Sequence, residues 1–169
     1  MACKSINRFD LTQMEADKKF LGKAVGLASE SITKGGGPFG AVIVKDNKIL
    51  SEAYNTVFLS NDPTAHAEDA AIRKAAATLS SFSLSGCTLY TSCEPCPMCL
   101  GAIYWAGISK VVYAGNRKDA EAAGFSDNLI YEGIGLRPSE RTIEFVKLEN
   151  AGNSEVFKKW IGMENKNPY

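Results

Sequence analysis

Cys87-Thr88-Leu89-Tyr90-Thr91-Ser92-Cys93-Glu94-Pro95-Cys96-Pro97-Met98-Cys99-Leu100-Gly101-Ala102-Ile103-Tyr104-Trp105 changes character in mid-course, and that change decides the fold. Cys87 to Thr91 is a short apolar run suited to an interior strand. After the turn through Ser92 to Cys96, Pro97 opens a helix that runs to Trp105, because proline is tolerated in a first helical turn. The small residues Gly101, Ala102 and Ala106 let that helix approach a neighbour closely. A strand that hands over to a helix in this way places the cysteine-bearing turn at the strand's carboxyl end, where α/β sheets bind ligands.

On either side of this unit the chain alternates between the two periods. Lys110 to Ala114 reads as a following strand, Asn116 to Gly124 as a loop or short turn, and Asn128 to Gly133 as a short helix. Thr142 to Val146 alternates as a fifth strand, and Ser154 to Ile161 as a final amphipathic helix. Upstream, Thr12 and Glu15 form a capping-box pattern ahead of apolar residues at helical spacing from Phe20 to Ile32. Gly35-Gly36-Gly37-Pro38 stops that helix, and Phe39 to Val44 follows as a strand. Asp46-Asn47 turns it into an antiparallel partner near Ile49 to Tyr54. Thr56 to Thr64 reads as a loop into a helix that begins close to His66. The order points to an α/β fold, a three-layer α/β/α sandwich around a five-stranded mixed sheet.

The chemistry is concentrated at two places. His66-Ala67-Glu68 is followed, thirty residues after the histidine, by Pro95-Cys96-Pro97-Met98-Cys99. Imidazole nitrogen and thiolate sulfur are both zinc donors, and two cysteines separated by two residues can hold one ion from a tight turn or first helical turn. His66, Cys96 and Cys99 would leave the fourth tetrahedral position open for water, with Glu68 beside it to move protons. Cys-x-x-Cys alone also occurs in redox and structural sites. Joined to His-x-Glu, it has the layout of a hydrolytic deaminase in which an activated water attacks an amino-bearing ring carbon. The alternative is a closed architectural site with Cys93 as fourth ligand, which leaves Glu68 without a purpose.

Length and charge bound the remaining possibilities. At 169 residues the chain supports one substantial core, so a single domain over 1–169 is expected. Nineteen basic and nineteen acidic residues balance, which argues against nucleic-acid binding driven by long-range attraction. Three of the five cysteines lie within seven residues, a clustering that suits metal binding in a reducing, cytoplasmic setting better than a disulfide framework. No secretory signal or membrane-spanning stretch is evident. Asn55, at the expected end of the second strand, can donate to and accept from a nucleobase edge. Phe39, Trp105 and Tyr169 are candidate stacking or lid residues, and Asp127 is a second candidate carboxylate.

The stretches Gly36 to Val44, Asn61 to Glu68, Thr91 to Ala106 and Ala123-Gly124-Phe125-Ser126-Asp127 resemble the cytidine deaminase superfamily, and within it the bacterial guanine deaminases. The resemblance extends from about Thr12 to Tyr169. It implies one Zn2+ per subunit on His66, Cys96 and Cys99, with Glu68 as general acid and base. It implies that Asp127 contacts the substrate edge and assists proton transfer, that Asn55 binds the base, and that Phe39 and Trp105 lie near the purine. Tyr169 matches a terminal tyrosine that closes a neighbouring subunit's pocket, implying a homodimer in which the segment from about 150 to 169 is exchanged. The implied reaction is guanine and water to xanthine and ammonia, a step of guanine catabolism. Guanosine is the nearer rival substrate, and a base edited within tRNA the more distant one. Asp69 departs from the family, which usually has an apolar or small residue there; an extra carboxylate would raise the proton affinity of Glu68 or simply face solvent.

Overall fold

The computed structural model describes residues 8–149 and 152–167. Within residues 8–127 the elements are helix α1 (Arg8–Thr33), strands β1 (Gly40–Lys45) and β2 (Lys48–Tyr54), helices α2 (Val57–Ser60) and α3 (Ala67–Leu79), strand β3 (Thr88–Cys93), helix α4 (Pro97–Trp105), strand β4 (Lys110–Gly115) and helix α5 (Arg117–Ala122). The sheet has the order β2-β1-β3-β4. β1 pairs antiparallel with both β2 and β3, while β3 and β4 are parallel, so the sheet is mixed. The β1–β2 turn is made by Asp46 and Asn47, both with positive φ, as a two-residue hairpin loop requires.

Side-chain parity along the strands builds the three layers. Ala41 and Ile43 of β1 and Leu89 of β3 face Ala67, Ala71 and Ala75 of α3 and Ile103 of α4. The intervening Val42, Val44 and Tyr90 face Phe20, Ala24 and Leu27 of α1. Alanines on α3 let its axis come close to the sheet, and Ile43 and Leu89 are fully buried beneath it. On the other face the contact is closer still. A Cβ at Gly40 would collide with the α1 backbone at Ala24 and Ala28, so only glycine lets this strand begin beneath the helix.

Four expectations are corrected. α1 begins at Arg8, ahead of the Thr12 capping-box pattern, because residues 8–11 contain no helix breaker and the chain continues along the axis. Part of the segment expected as a loop between Thr56 and Thr64 forms the single-turn α2. Asn116 to Gly124 contains α5, started by a reciprocal cap: Asn116 accepts from the Lys118 and Asp119 amides while the Asp119 carboxylate accepts from the Asn116 amide. The fifth strand is absent; the sheet has four, and 142–146 forms no ladder among the described residues. Ile143, Phe145 and Val146 are all exposed, so the alternation there finds no face to bury.

Residues 128–167 form a second unit with helices α6 (Asn128–Ile134) and α7 (Asn153–Ile161) and a short 3-10 turn at Pro138–Glu140. None of its described residues is buried. Leu129, Ile130, Ile134, Ile143 and Phe145 line an apolar hollow, and α7 carries Val156, Phe157, Trp160 and Ile161 exposed at helical spacing. No helix of the described chain is long and apolar enough to cross a membrane.

Candidate active site

Two helix starts meet at the carboxyl end of β3. His66 is the N-cap of α3 and Cys96 the N-cap of α4, both with extended backbone, while Cys99 lies in the first turn of α4. The chain folds this way because Pro97 is preset for a first helical position and because Ala70 N–H closes the α3 turn on the His66 carbonyl at 3.0 Å. The Sγ atoms of Cys96 and Cys99 are 3.6 Å apart, and each lies 3.6 Å from Nδ1 of His66. Tetrahedral zinc with ligand bonds of about 2.3 Å to sulfur and about 2.0–2.1 Å to nitrogen demands edges of about 3.8 and about 3.6 Å. The donor set and its spacing therefore fit a zinc ion. His66, Cys96 and Cys99 are the group of potential ligands that converge among the described residues. Cys93 stands outside it, with its thiol 3.6 Å from the Asn116 carbonyl and pushed up to about 11 by burial. A closed four-ligand site with Cys93 is thus not formed.

The two thiols are pushed in opposite directions, Cys96 down and Cys99 up, the latter by its hydrogen bond with Cys96 and by burial. The Cys99 thiol and His66 beside Cys96 pull its thiol well below the ordinary range, and the hydrogen bond with Cys96 pushes the His66 imidazole up. A cation entering this triangle displaces protons, as zinc ligation requires.

Glu68 and Asp69, in the first turn of α3, are both buried. One Glu68 oxygen accepts a 2.8 Å bond from the Thr91 hydroxyl, and the other lies 3.6 Å from Cys99 Sγ. Burial pushes the Glu68 carboxyl up, and the Thr91 hydroxyl opposes that shift. Asp69 does not face solvent: its Oδ2 is also 3.6 Å from Cys99 Sγ, and burial likewise raises its carboxyl.

The other residues singled out from sequence fall into three positions. Asn55, Phe39 and Asp127 are joined by a chain of contacts that starts beside His66 and returns to the segment before Cys96. The Thr56 amide donates to Ala65 at 3.0 Å beside His66, and the Asn55 amide donates to the Phe39 carbonyl at 3.0 Å. Phe39 meets Phe125 edge-on at 5.0 Å, and Asp127, two residues on, accepts from Arg117 Nε at 3.1 Å. The Arg117 amide donates to Glu94 at 3.2 Å, two residues before Cys96. Asn55 is buried and its Oδ1 accepts from the Val57 amide, which directs its NH2 group elsewhere. Trp105, by contrast, is 67% exposed at the far end of α4, about 9 Å along the axis from Cys99 at 1.5 Å per residue. Within one chain it stands apart from the cluster. Tyr169 lies outside the described residues.

Three residues that hold these groups carry no role in the sequence reading. Thr91 shares the face of Leu89 two positions earlier, so strand parity was the available signal. Phe125 enters only as part of the stretch Ala123 to Asp127, and Arg117 falls in the segment expected as a loop or short turn.

Comparisons with known proteins agree with this geometry. The family model described as "Cytidine and deoxycytidylate deaminase zinc-binding region" matches residues 14–115. The chain is 53% identical over 151 residues to the guanine deaminase of Bacillus subtilis (strain 168), covering 89% of this chain and 97% of that protein. An X-ray structure of guanine deaminase from Bacillus subtilis superposes with a TM-score of 0.87 at 52% identity, covering 90% of this chain and 98% of that one. A tRNA-specific adenosine deaminase of Buchnera aphidicola is 41% identical over 107 residues, 63% of this chain and 66% of its own length.

Proposed function

We propose, given that the chain belongs to the cytidine and deoxycytidylate deaminase zinc-binding family, that it hydrolyses guanine to xanthine and ammonia. It is a zinc-dependent aminohydrolase of a purine base. The observation that carries the chemistry is the 3.6 Å triangle of His66, Cys96 and Cys99 with a buried glutamate oxygen 3.6 Å from its edge. Likeness along nearly the whole length of a guanine deaminase carries the substrate. The tRNA-editing reading draws on a shorter match, and the net charge of zero does not favour a polyanion.

His66, Cys96 and Cys99 would hold the zinc, which would supply a water acidified to near-neutral pH and polarised for attack. Glu68 takes the first water proton as the oxygen adds to C2 and gives it to the adjacent ring nitrogen, so that negative charge does not build up there. The remaining O–H proton passes to the exocyclic nitrogen as the C–N bond breaks; ammonia leaves and a C2 carbonyl remains. The buried hydrogen bond from Thr91 aims Glu68 at this path, while burial keeps its basicity high. Asn55 hydrogen-bonds the base edge, Phe39 packs against the ring, and Asp127 holds the amino edge and assists the second transfer.

The working assembly is a homodimer exchanging the segment from about 150 to 169, with Tyr169 of each copy over the other's pocket and Trp105 reaching its neighbour's purine. Exposed apolar faces throughout 128–167 support this reading. The four cysteines among the described residues form no disulfide, which supports a cytoplasmic setting, where guanine catabolism would proceed.

Ammonia release by zinc-loaded protein, offered guanine, guanosine, adenine, cytosine and cytidine in parallel, tests the substrate; preference for guanosine would overturn it. Glu68→Gln is expected to keep zinc and lose about 10²–10⁴-fold in kcat. Mixing it with a variant lacking Pro168 and Tyr169 should restore part of the activity only if the ends are exchanged.

A further inference from the structure

We propose that Arg117 is a positioning residue for Asp127, coupling the loop that carries Cys96 to the carboxylate at the substrate's amino edge. This rests on the guanine-hydrolysing reading above.

Arg117 occupies the first position of α5, where its main chain is held from three directions. The Asn116–Asp119 reciprocal cap fixes the helix start immediately around it. On its other side the Glu94 amide donates to the Gly115 carbonyl at 2.8 Å, and the Glu94 carboxylate accepts from the Arg117 amide at 3.2 Å. The Cys93 thiol adds a 3.6 Å contact to the Asn116 carbonyl. Residues 115–117 therefore move with the strand end and loop that present Cys96.

From that fixed base Arg117 Nε reaches Asp127 Oδ1 at 3.1 Å. Asp127 ends a loop that is also anchored at Phe125, whose amide bonds the Ala120 carbonyl at 2.9 Å and whose ring meets Phe39. Gly124 between them, at φ +92, turns the chain. The pair is partly exposed, 33% for Arg117 and 20% for Asp127, so water weakens its direct contribution to folding. Direction is what survives that screening. A planar guanidinium imposes an approach angle on a carboxylate that a lysine ammonium does not. A carboxylate that orients a reacting edge depends on that angle, since a displacement of about 1 Å can cost about 10²-fold in rate.

The test is a double-mutant cycle of Arg117→Gln and Asp127→Asn, read as kcat and KM at fixed zinc content and confirmed folding. Arg117→Gln is expected to lower kcat/KM for guanine between tenfold and a hundredfold, mostly in kcat. In the Asp127→Asn background it should cost less than a further twofold, because there is nothing left to position. Arg117→Lys, which keeps the charge, should lie between wild type and Arg117→Gln; it carries the same cycle if the glutamine variant does not fold. Full multiplication of the two effects, or a loss below twofold for Arg117→Gln alone, overturns the proposal. Wild type that processes guanosine and not guanine retires the substrate reading instead, and the cycle is then read on guanosine with the same expectations.

Discussion

Thr91→Val isolates the hydroxyl hydrogen bond that holds one oxygen of Glu68. The substitution preserves shape, and the site is fully buried in the middle of the sheet, paired to Ala41 on one side and Tyr113 on the other, so the backbone has no reason to move. What disappears is a 2.8 Å bond onto a buried carboxylate. A hydrogen bond to a charged group contributes about 1.5–3 kcal/mol, and about 1.4 kcal/mol corresponds to one pH unit of proton affinity. The Glu68 carboxyl, already raised by burial, should rise further once the Thr91 hydroxyl no longer opposes that shift. With ionised Glu68 as the form that takes the water proton, the acidic limb of kcat/KM moves to higher pH. The loss is then about 10–100-fold below the limb and small above it. Zinc stoichiometry should not change, and the lost bond should lower Tm by about 2–4 °C for each kcal/mol at this chain length. Ammonia release from guanine between pH 4 and 9 reads the limb, with Thr91→Ser as the control that keeps the hydroxyl. An acidic limb that stays in place, with metal retained, refutes the claim that Thr91 sets the proton affinity of Glu68.

Two further outcomes concern stability. Burial alone would raise the Asp17 carboxyl, but hydrogen bonds from Lys110, Tyr90 and Gln13 outweigh it and leave it below its ordinary value. A depressed carboxyl stabilises the fold fully above its unfolded value of about 3.9 and loses that contribution as pH falls through the lower folded value. The Tm difference between wild type and Asp17→Asn should therefore hold from pH 8 to about pH 5 and shrink in acid below about pH 4; a difference constant to pH 3 would contradict it. Gly40→Ala forces a methyl into the α1 backbone, and denaturant unfolding should show a loss of about 1–3 kcal/mol or more; an unchanged midpoint would mean the helix can withdraw freely.

The metal-holding part of the molecule was readable because each of its signals is local. His66 and Glu68 are two apart, Cys96 and Cys99 three apart, and Pro97 marks the helix start between them. Strand parity at β1 was equally plain, since Ala41 and Ile43 alternate with Val42 and Val44. The failures share a different cause. A fifth strand at 142–146 requires a partner's hydrogen bonds, which no alternation within the segment can supply. The Arg117–Asp127 pair joins residues ten apart across a helix that had been read as a loop, although Asn116 and Asp119 carried the capping signal at the usual spacing. Thr12 and Glu15 carried the same kind of signal with no helix start there, because a cap also needs the preceding chain to turn away.

His66, Cys96 and Cys99 stand on two helix starts locked to the central strands, whereas Phe39, Phe125 and Asp127 stand on connecting segments at the circumference. Such a division separates the durable from the exchangeable. Mutations can accumulate in the outer segments, reshaping what is admitted and held, while the ion-bearing frame stays within tolerance. A library confined to Phe39, Phe125 and Ser126 is consequently the place to seek new heterocycle preferences, since diversity there leaves His66, Glu68, Cys96, Cys99 and Asp127 in place.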